Sequence, residues 1–311
     1  MRALVTGAGG FVGRWLVAHL EAAGDEVWTL DRGELQVAQH WSTDIRDPDG
    51  VATAIATTRP DAIYHLAGVA FGPDVRDDVA AAADITVIGT ANVLRGCLGS
   101  ATRPLVLVTG SSEIYASKDG PINELDPISP VSPYGYTKLA QEAVCLAYQK
   151  AGAVEVAVTR SFNHIGPGQR DSFVVSAFAS QLARIAMGAP AVLKVGNLEA
   201  LRDFTDVRDV VAAYRLIVAG RRVGEPLNVA TGVGVRIRDL LDGLFAVAGV
   251  TADVEIDPAR LRSAEAPALI GDAGRLREAT GWRPEIPLDQ TLSDVWRDAL
   301  KRASLTAGRA P

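Results

Sequence analysis

Thr6-Gly7-Ala8-Gly9-Gly10-Phe11-Val12-Gly13 is the stretch on which the reading of this chain turns. It follows an apolar run, Arg2–Val5, and opens Phe11–Ala23, where apolar residues recur at helical spacing. Gly7, Gly10 and Gly13 stand in the pattern G-x-x-G-x-x-G. Such a turn must be sharp, must let a pyrophosphate approach the backbone, and must allow close packing of helix on strand. The first helical N–H groups, Phe11 and Val12 among them, then aim at phosphate oxygens. Glycines also collect in turns for steric reasons alone. The position after a strand and before a helix gives the triplet its weight.

Outward from that turn the chain keeps alternating. Glu26–Leu30, Ala62–His65, Leu105–Thr109 and Val154–Thr159 are short apolar runs. Between them, Asp49–Thr58 (after Pro48), Ala80–Leu98 and Pro133–Ala151 read as helices. Continuously apolar strands separated by helices predict a parallel sheet covered on both faces. After Arg160 the pattern changes. Asn163–Asp171 reads as a Gly/Pro loop, Phe173–Met187 and Val207–Ala219 as helices, and Pro226–Ala230 as a strand that could return to the sheet. The expected fold class is α/β: a Rossmann-type doubly wound parallel sheet with a smaller, interleaved α/β substrate-binding lobe. Residues 1–162, rejoined by 203–231, would form the first unit, and 163–202 with 232–308 the lobe. Ser304–Pro311 reads as a frayed tail.

Composition narrows the class. Of 311 residues, 48% are hydrophobic and 22% charged, the balance of a globular enzyme. The net charge of −6 argues against a nucleic-acid or membrane-surface partner, which would need a basic face. Only five of the 31 basic residues are lysines. Cys97 and Cys145 make no disulfide framework, and with four scattered histidines they suggest no metal site. Met1-Arg2 and the apolar run after it imitate a signal peptide, but the glycines from Gly7 interrupt it. No run of 18 uncharged apolar residues occurs. A reduced, cytoplasmic setting is expected.

Asp31 ends the second strand, 18 residues after Gly13. A carboxylate there accepts the hydroxyls of an adenosine ribose and repels a 2′-phosphate; a simple strand-end turn is the bland alternative. Arg32 could instead hold that phosphate, so NAD(H) is favoured and NADP(H) stays open. Tyr134 and Lys138 lie four apart at a helix start, on one face. An ammonium close to a phenol lowers its pKa, making Tyr134 a candidate proton exchanger. Tyr136, two residues before Lys138, points elsewhere. Ser111 and Glu113 follow the fourth strand, where open α/β sheets bind ligands.

Taken together these residues resemble the extended short-chain dehydrogenase/reductase family. Within it, Arg160 to Gln169, Val195 to Asp209, Asn228 to Gly232, Leu261-Arg262, Leu269 to Asp272 and Thr280 to Pro284 resemble the GDP-6-deoxy-D-mannose reductase branch. By that resemblance Ser111 would bond the sugar O4, Tyr134 would protonate it, and Lys138 would position the cofactor ribose. Asp44 and Ile45 would flank the adenine, and Leu66 and Ala67 would lie along the cofactor. Asn163, Lys194, Asn197, Arg202 and Arg262 would face the nucleotide diphosphate; an ion pair from Arg202 to Asp203 or Asp206 is the alternative. The chain departs from relatives at Thr86, where they often carry Asn, at Ala116, at Ser263 and along Gly68–Pro73.

The resemblance implies reduction of the C4 ketone of GDP-4-keto-6-deoxy-D-mannose to GDP-D-rhamnose. A GDP-mannose 4,6-dehydratase, with Glu113 as the base that removes the C5 proton, is the alternative. A 4-epimerase or a non-catalytic dinucleotide sensor would be further ones. Relatives dimerise through two long helices, here Ala80–Leu98 and Pro133–Ala151, so a homodimer is expected.

Overall fold

Alternate residues of the first strand feed opposite faces of the central sheet: Ala3 and Val5 enter one apolar cluster, Leu4 the other. The computed structural model describes residues 1–37, 39–70, 72–261 and 266–307. In chain order the first half runs β1 (Arg2–Thr6), α1 (Phe11–Ala22), β2 (Glu26–Asp31), β3 (His40–Ser42), α2 (Pro48–Thr58) and β4 (Ala62–His65). Then come α3 (Gly72–Asp77), α4 (Val79–Ala83), a π-helical turn Asp84–Ile88, α5 (Gly89–Gly96), β5 (Leu105–Ser111), α6 (Pro133–Lys150) and β6 (Val156–Ser161).

The second half holds β7 (Asn163–Ile165), α7 (Val174–Ala186), β8 (Val192–Val195), β9 (Leu201–Asp206), α8 (Val207–Ala219), β10 (Leu227–Val229) and β11 (Gly234–Arg236). It closes with α9 (Ile237–Ala248), β12 (Asp253–Ile256), β13 (Ala268–Leu269), α10 (Gly274–Thr280) and α11 (Leu288–Ala307).

Among the described residues, seven strands bond in the order β10-β6-β5-β4-β1-β2-β3, every neighbouring pair parallel. Successive connections reverse direction between β1 and β4, so a crevice opens past the carboxyl ends of these strands. One face is packed with Leu16, Leu20, Tyr64, Phe162 and Tyr214, the other with Leu30, Ile55, Ile63, Leu94 and Val106. A separate apolar cluster joins α7, α9 and α11 through Phe178, Leu182, Leu240, Leu244 and Trp296. There β9 pairs with β7, β11 and β13, and β12 with β8. No helix among the described residues is long and apolar enough to cross a membrane.

The structure corrects the expected elements in four places. The tail expected from Ser304 begins as helix, since α11 runs on to Ala307. His40–Ser42 forms an edge strand on β2, too short and too polar to signal itself. The single helix expected over Ala80–Leu98 is interrupted by the π turn, which inserts an extra residue and directs Thr86 inward, where its hydroxyl accepts the Val69 N–H. The expected Gly/Pro loop 163–171 begins with β7, whose backbone is paired along β9. That pairing is long-range and leaves no local pattern.

Candidate active site

The glycine turn is shaped by close approach. Gly7 has φ +70°, and a Cβ there would stand 2.8 Å from the Ala67 nitrogen; one on Gly13 would stand 2.3 Å from the Gly7 carbonyl oxygen. Gly10 caps α1 without any side-chain bond, so the N–H groups of Phe11, Val12 and Gly13 are open at the helix end. Leu66 and Ala67 cross this turn directly: their N–H groups reach the Thr6 carbonyl and hydroxyl oxygens. An uncapped helix start over a glycine cradle fits the pyrophosphate of a dinucleotide.

Asp31 stands at the end of β2 and accepts the Gly9 N–H at 2.9 Å and the Arg32 N–H at 2.8 Å. Its carboxylate thus braces the cradle from the side where an adenosine ribose would lie. Asp44 is clasped by the Arg46 guanidinium, whose bonds hold the carboxyl below its usual range. Arg32 adds a weaker attraction from the same side. Ile45 is buried beneath Gly89, and its carbonyl accepts the Asn92 amide at 3.0 Å.

Across the crevice, Ser111 ends β5 and Glu113 follows in the short 3-10 turn Ser112–Ile114. Helix α6 starts beside them because Ser132 caps it, accepting the Gly135 N–H, with Pro133 at the first helical position. This start sets Tyr134 and Lys138 facing the crevice. Tyr136 is 60% exposed on the other side of the helix.

The phenol of Tyr134 is not lowered as the spacing suggests. Burial raises its pKa above the ordinary value, the Glu113 charge raises it further, and the Ser111 hydroxyl bonded to it opposes both. The reason is that Lys138 spends its donors elsewhere: Nζ donates to the Thr109 carbonyl and to Gln141 Oε1, each at 2.9 Å. Burial lowers the Lys138 pKa to about 8. In the resting geometry the site therefore holds a protonated phenol.

The residues expected around a nucleotide diphosphate are less uniform. Asn163 is exposed on β7, in register with Phe204 of β9, and Arg202 sits two residues earlier on β9. The Arg202 guanidinium is buried and donates to the Leu201 carbonyl at 2.8 Å. Lys194 is exposed on β8, which pairs with β12. The Asn197 side chain accepts the Glu199 N–H in a local turn. Gly196 lies against the Arg260 backbone, so the 196–197 turn and the 258–260 turn meet. Arg262 and Ser263 lie outside the described residues. Sequence reasoning missed Thr6, His65, Thr90 and Gln141, which surround Lys138 from behind. The signal available was polar side chains inside otherwise apolar strand and helix faces.

A family profile described as GDP-mannose 4,6 dehydratase matches residues 4–295. The GDP-6-deoxy-D-mannose reductase of Pseudomonas aeruginosa is 38% identical over 301 residues, covering 96% of each chain. GDP-mannose 4,6 dehydratase 2 of Arabidopsis thaliana is 29% identical, over 97% of this chain and 87% of its own. The solved structure of RMD from Pseudomonas aeruginosa complexed with NADPH superposes with a TM-score of 0.85 at 35% identity, covering 97% of this chain and 99% of that one.

Proposed function

The chain belongs to the GDP-mannose 4,6 dehydratase family, within the extended short-chain dehydrogenase/reductases, and from that we propose that it is an NAD(P)H-dependent reductase of a GDP-linked 4-keto-6-deoxy sugar. The substrate we assign is GDP-4-keto-6-deoxy-D-mannose and the product GDP-D-rhamnose. The observation that carries this reading is the 38% identity to the Pseudomonas aeruginosa GDP-6-deoxy-D-mannose reductase over 96% of each chain, with Tyr134 placed beside Ser111 to donate a proton. Ketone reduction needs a proton donor at rest, whereas oxidation of a C4 alcohol needs a phenolate. The likeness to the Pseudomonas aeruginosa reductase supports the same direction.

When bound, the nicotinamide would supply the hydride that attacks C4. The Phe11, Val12 and Gly13 N–H groups would hold its pyrophosphate and Asp31 its adenosine ribose. The two donors of Lys138 held by Thr109 and Gln141 leave a third for the nicotinamide ribose. Ser111 would bond the ketone oxygen and polarise it. Tyr134 would give its proton to that oxygen as the C4–hydrogen bond forms, so ketone becomes alcohol and the phenolate is later reprotonated from solvent. Asn163, Lys194, Asn197 and Arg202 are proposed to face the diphosphate, and α4 to α6 to form a homodimer interface.

The dehydratase reading draws on Glu113, whose charge reaches Tyr134. Two incubations separate them. Oxidation of NADH or NADPH with the 4-keto sugar, and none with GDP-mannose, is the expected result. Conversion of GDP-mannose to its 4-keto-6-deoxy form without added reduced cofactor would replace the reductase reading by the dehydratase one.

A further inference from the structure

Behind Lys138 runs a closed chain of buried polar groups that the chemistry above does not use. Gln141 Nε2 donates to the Thr90 hydroxyl at 2.9 Å, and Thr90 donates to the Thr86 carbonyl at 2.6 Å. Because that hydroxyl proton is committed, Thr90 can only accept from His65 Nε2, which lies 3.0 Å away. His65 therefore carries its proton on Nε2, and Nδ1 accepts from the Thr6 hydroxyl at 2.7 Å. Thr6 in turn accepts the Ala67 N–H beside Gly7. The amide of Gln141 has one permitted orientation, since an ammonium offers only donors and must face the carbonyl oxygen. All of Thr90, His65 and Gln141 are at most 1% exposed.

We infer that Gln141, locked by Thr90, His65 and Thr6, is a positioning residue that fixes both the place and the charge state of the Lys138 ammonium. The inference rests on the reductase reading for its meaning in turnover, but the ionisation it concerns belongs to the chain alone. Among the described residues, the groups facing Nζ are the Thr109 carbonyl of β5, Gln141 of α6, and Gly68, where a Cβ would stand 3.8 Å from it. Of the titratable groups near it, His65 is held neutral by burial and by the Lys138 charge, down to about 3. The Cys145 thiol is pushed up by burial to about 12, the Tyr134 phenol one turn earlier is raised by burial and stays neutral, and Glu142 is paired with Arg160. None of these is a carboxylate in contact with Nζ. The Gln141 and Thr109 carbonyls, each 2.9 Å from Nζ, are the acceptors placed to favour its charged form against desolvation.

The test reads Lys138 directly, in protein without sugar or cofactor, labelled with carbon-13 at lysine Cε. Five lysines make the spectrum simple, and Lys138→Arg identifies the signal. Gln141→Met, similar in shape, removes the acceptor and should lower the Lys138 midpoint by about one pH unit. Gln141→Glu places a carboxylate there and should raise it by about as much or more. Thr90→Val, which unpins the amide, should lower it by a smaller amount, and it decides the matter with Gln141→Glu if Gln141→Met does not fold. General loosening cannot move one ionisation in two directions. Midpoints that stay at the wild-type value, or move the same way in the Met and Glu variants, overturn the inference. Failure of the wild type to oxidise NADH or NADPH with the keto sugar would overturn the reductase reading and leave this result untouched.

Discussion

The Ser132 hydroxyl donates to Glu113 Oε2 at 3.0 Å while it accepts the Gly135 N–H at 3.0 Å. One side chain thereby caps α6 and ties the start of that helix to the turn after β5. Tyr134 sits one peptide group beyond Pro133, between the capped end and Lys138. Its distance from Ser111 is set by this clasp and by Gly135, where a Cβ would stand 2.5 Å from the Glu113 carbonyl oxygen.

Ser132→Ala should therefore cost about 1 kcal/mol of stability, the usual worth of a lost N-cap. Urea unfolding measures it. An unchanged midpoint would show that the Ser132 cap does not hold the helix end.

Tyr134→Phe should lower turnover with the keto sugar by about 10²–10⁴-fold, the range for loss of a positioned proton donor. Cofactor affinity, read by fluorescence titration, should hold, because the phenol oxygen takes no part in the glycine cradle. Turnover surviving near the wild-type rate would remove Tyr134 from the proposed proton transfer.

Asp31→Ala should shift the NADPH-to-NADH affinity ratio toward NADPH by roughly tenfold, since a carboxylate at the ribose repels a 2′-phosphate. Binding constants for the two cofactors in both proteins give the ratio. No shift would mean that Asp31 serves only to brace Gly9.

Arg160 and Glu142 form a buried pair at 2.6 Å, and the same guanidinium donates to the Tyr115 hydroxyl at 2.9 Å. Glu142→Ala leaves an uncompensated buried charge and should cost about 3–5 kcal/mol. Equilibrium denaturation checks it; a loss below about 1 kcal/mol would show that solvent reaches the guanidinium.

His65 is kept neutral in the folded chain, its pKa lowered by burial to about 3, while an unfolded imidazole takes a proton below about 6.5. The unfolded state then binds more protons throughout that window. Its contribution to stability is present above pH 6.5 and is lost as the pH falls toward 3. Chemical denaturation from pH 7 to pH 3.5 should show a steeper acid loss for wild type than for His65→Gln. Parallel curves would refute the assignment of neutral His65 to this window.

The fold was legible because its signals are local. Apolar runs of strand length, one glycine turn and Pro133 after Ser132 place β1, α1 and α6 within a residue or two of their observed bounds. What escaped were β3 and the short strands of the second half, β7, β8, β9, β11, β12 and β13, whose pairing comes from residues elsewhere in the chain, as Thr29 for β3 and Phe204 for β7. The π turn also escaped, since one inserted residue barely alters helical periodicity.

By itself the sequence determined that a sharp glycine turn would open a helix at Gly7 to Gly13 and that Tyr134 and Lys138 would share a helix face. Both follow from backbone geometry over a few residues. Only the tertiary structure decided what those groups do. Lys138 is held by Thr109 and Gln141, and Gln141 through Thr90 by His65, partners drawn from β4, β5 and α5. The Tyr134 pKa is raised, not lowered, because burial and the Glu113 charge outweigh the bond from Ser111. An ionisation depends on what surrounds the group in space, and that environment is assembled by residues far apart along the chain.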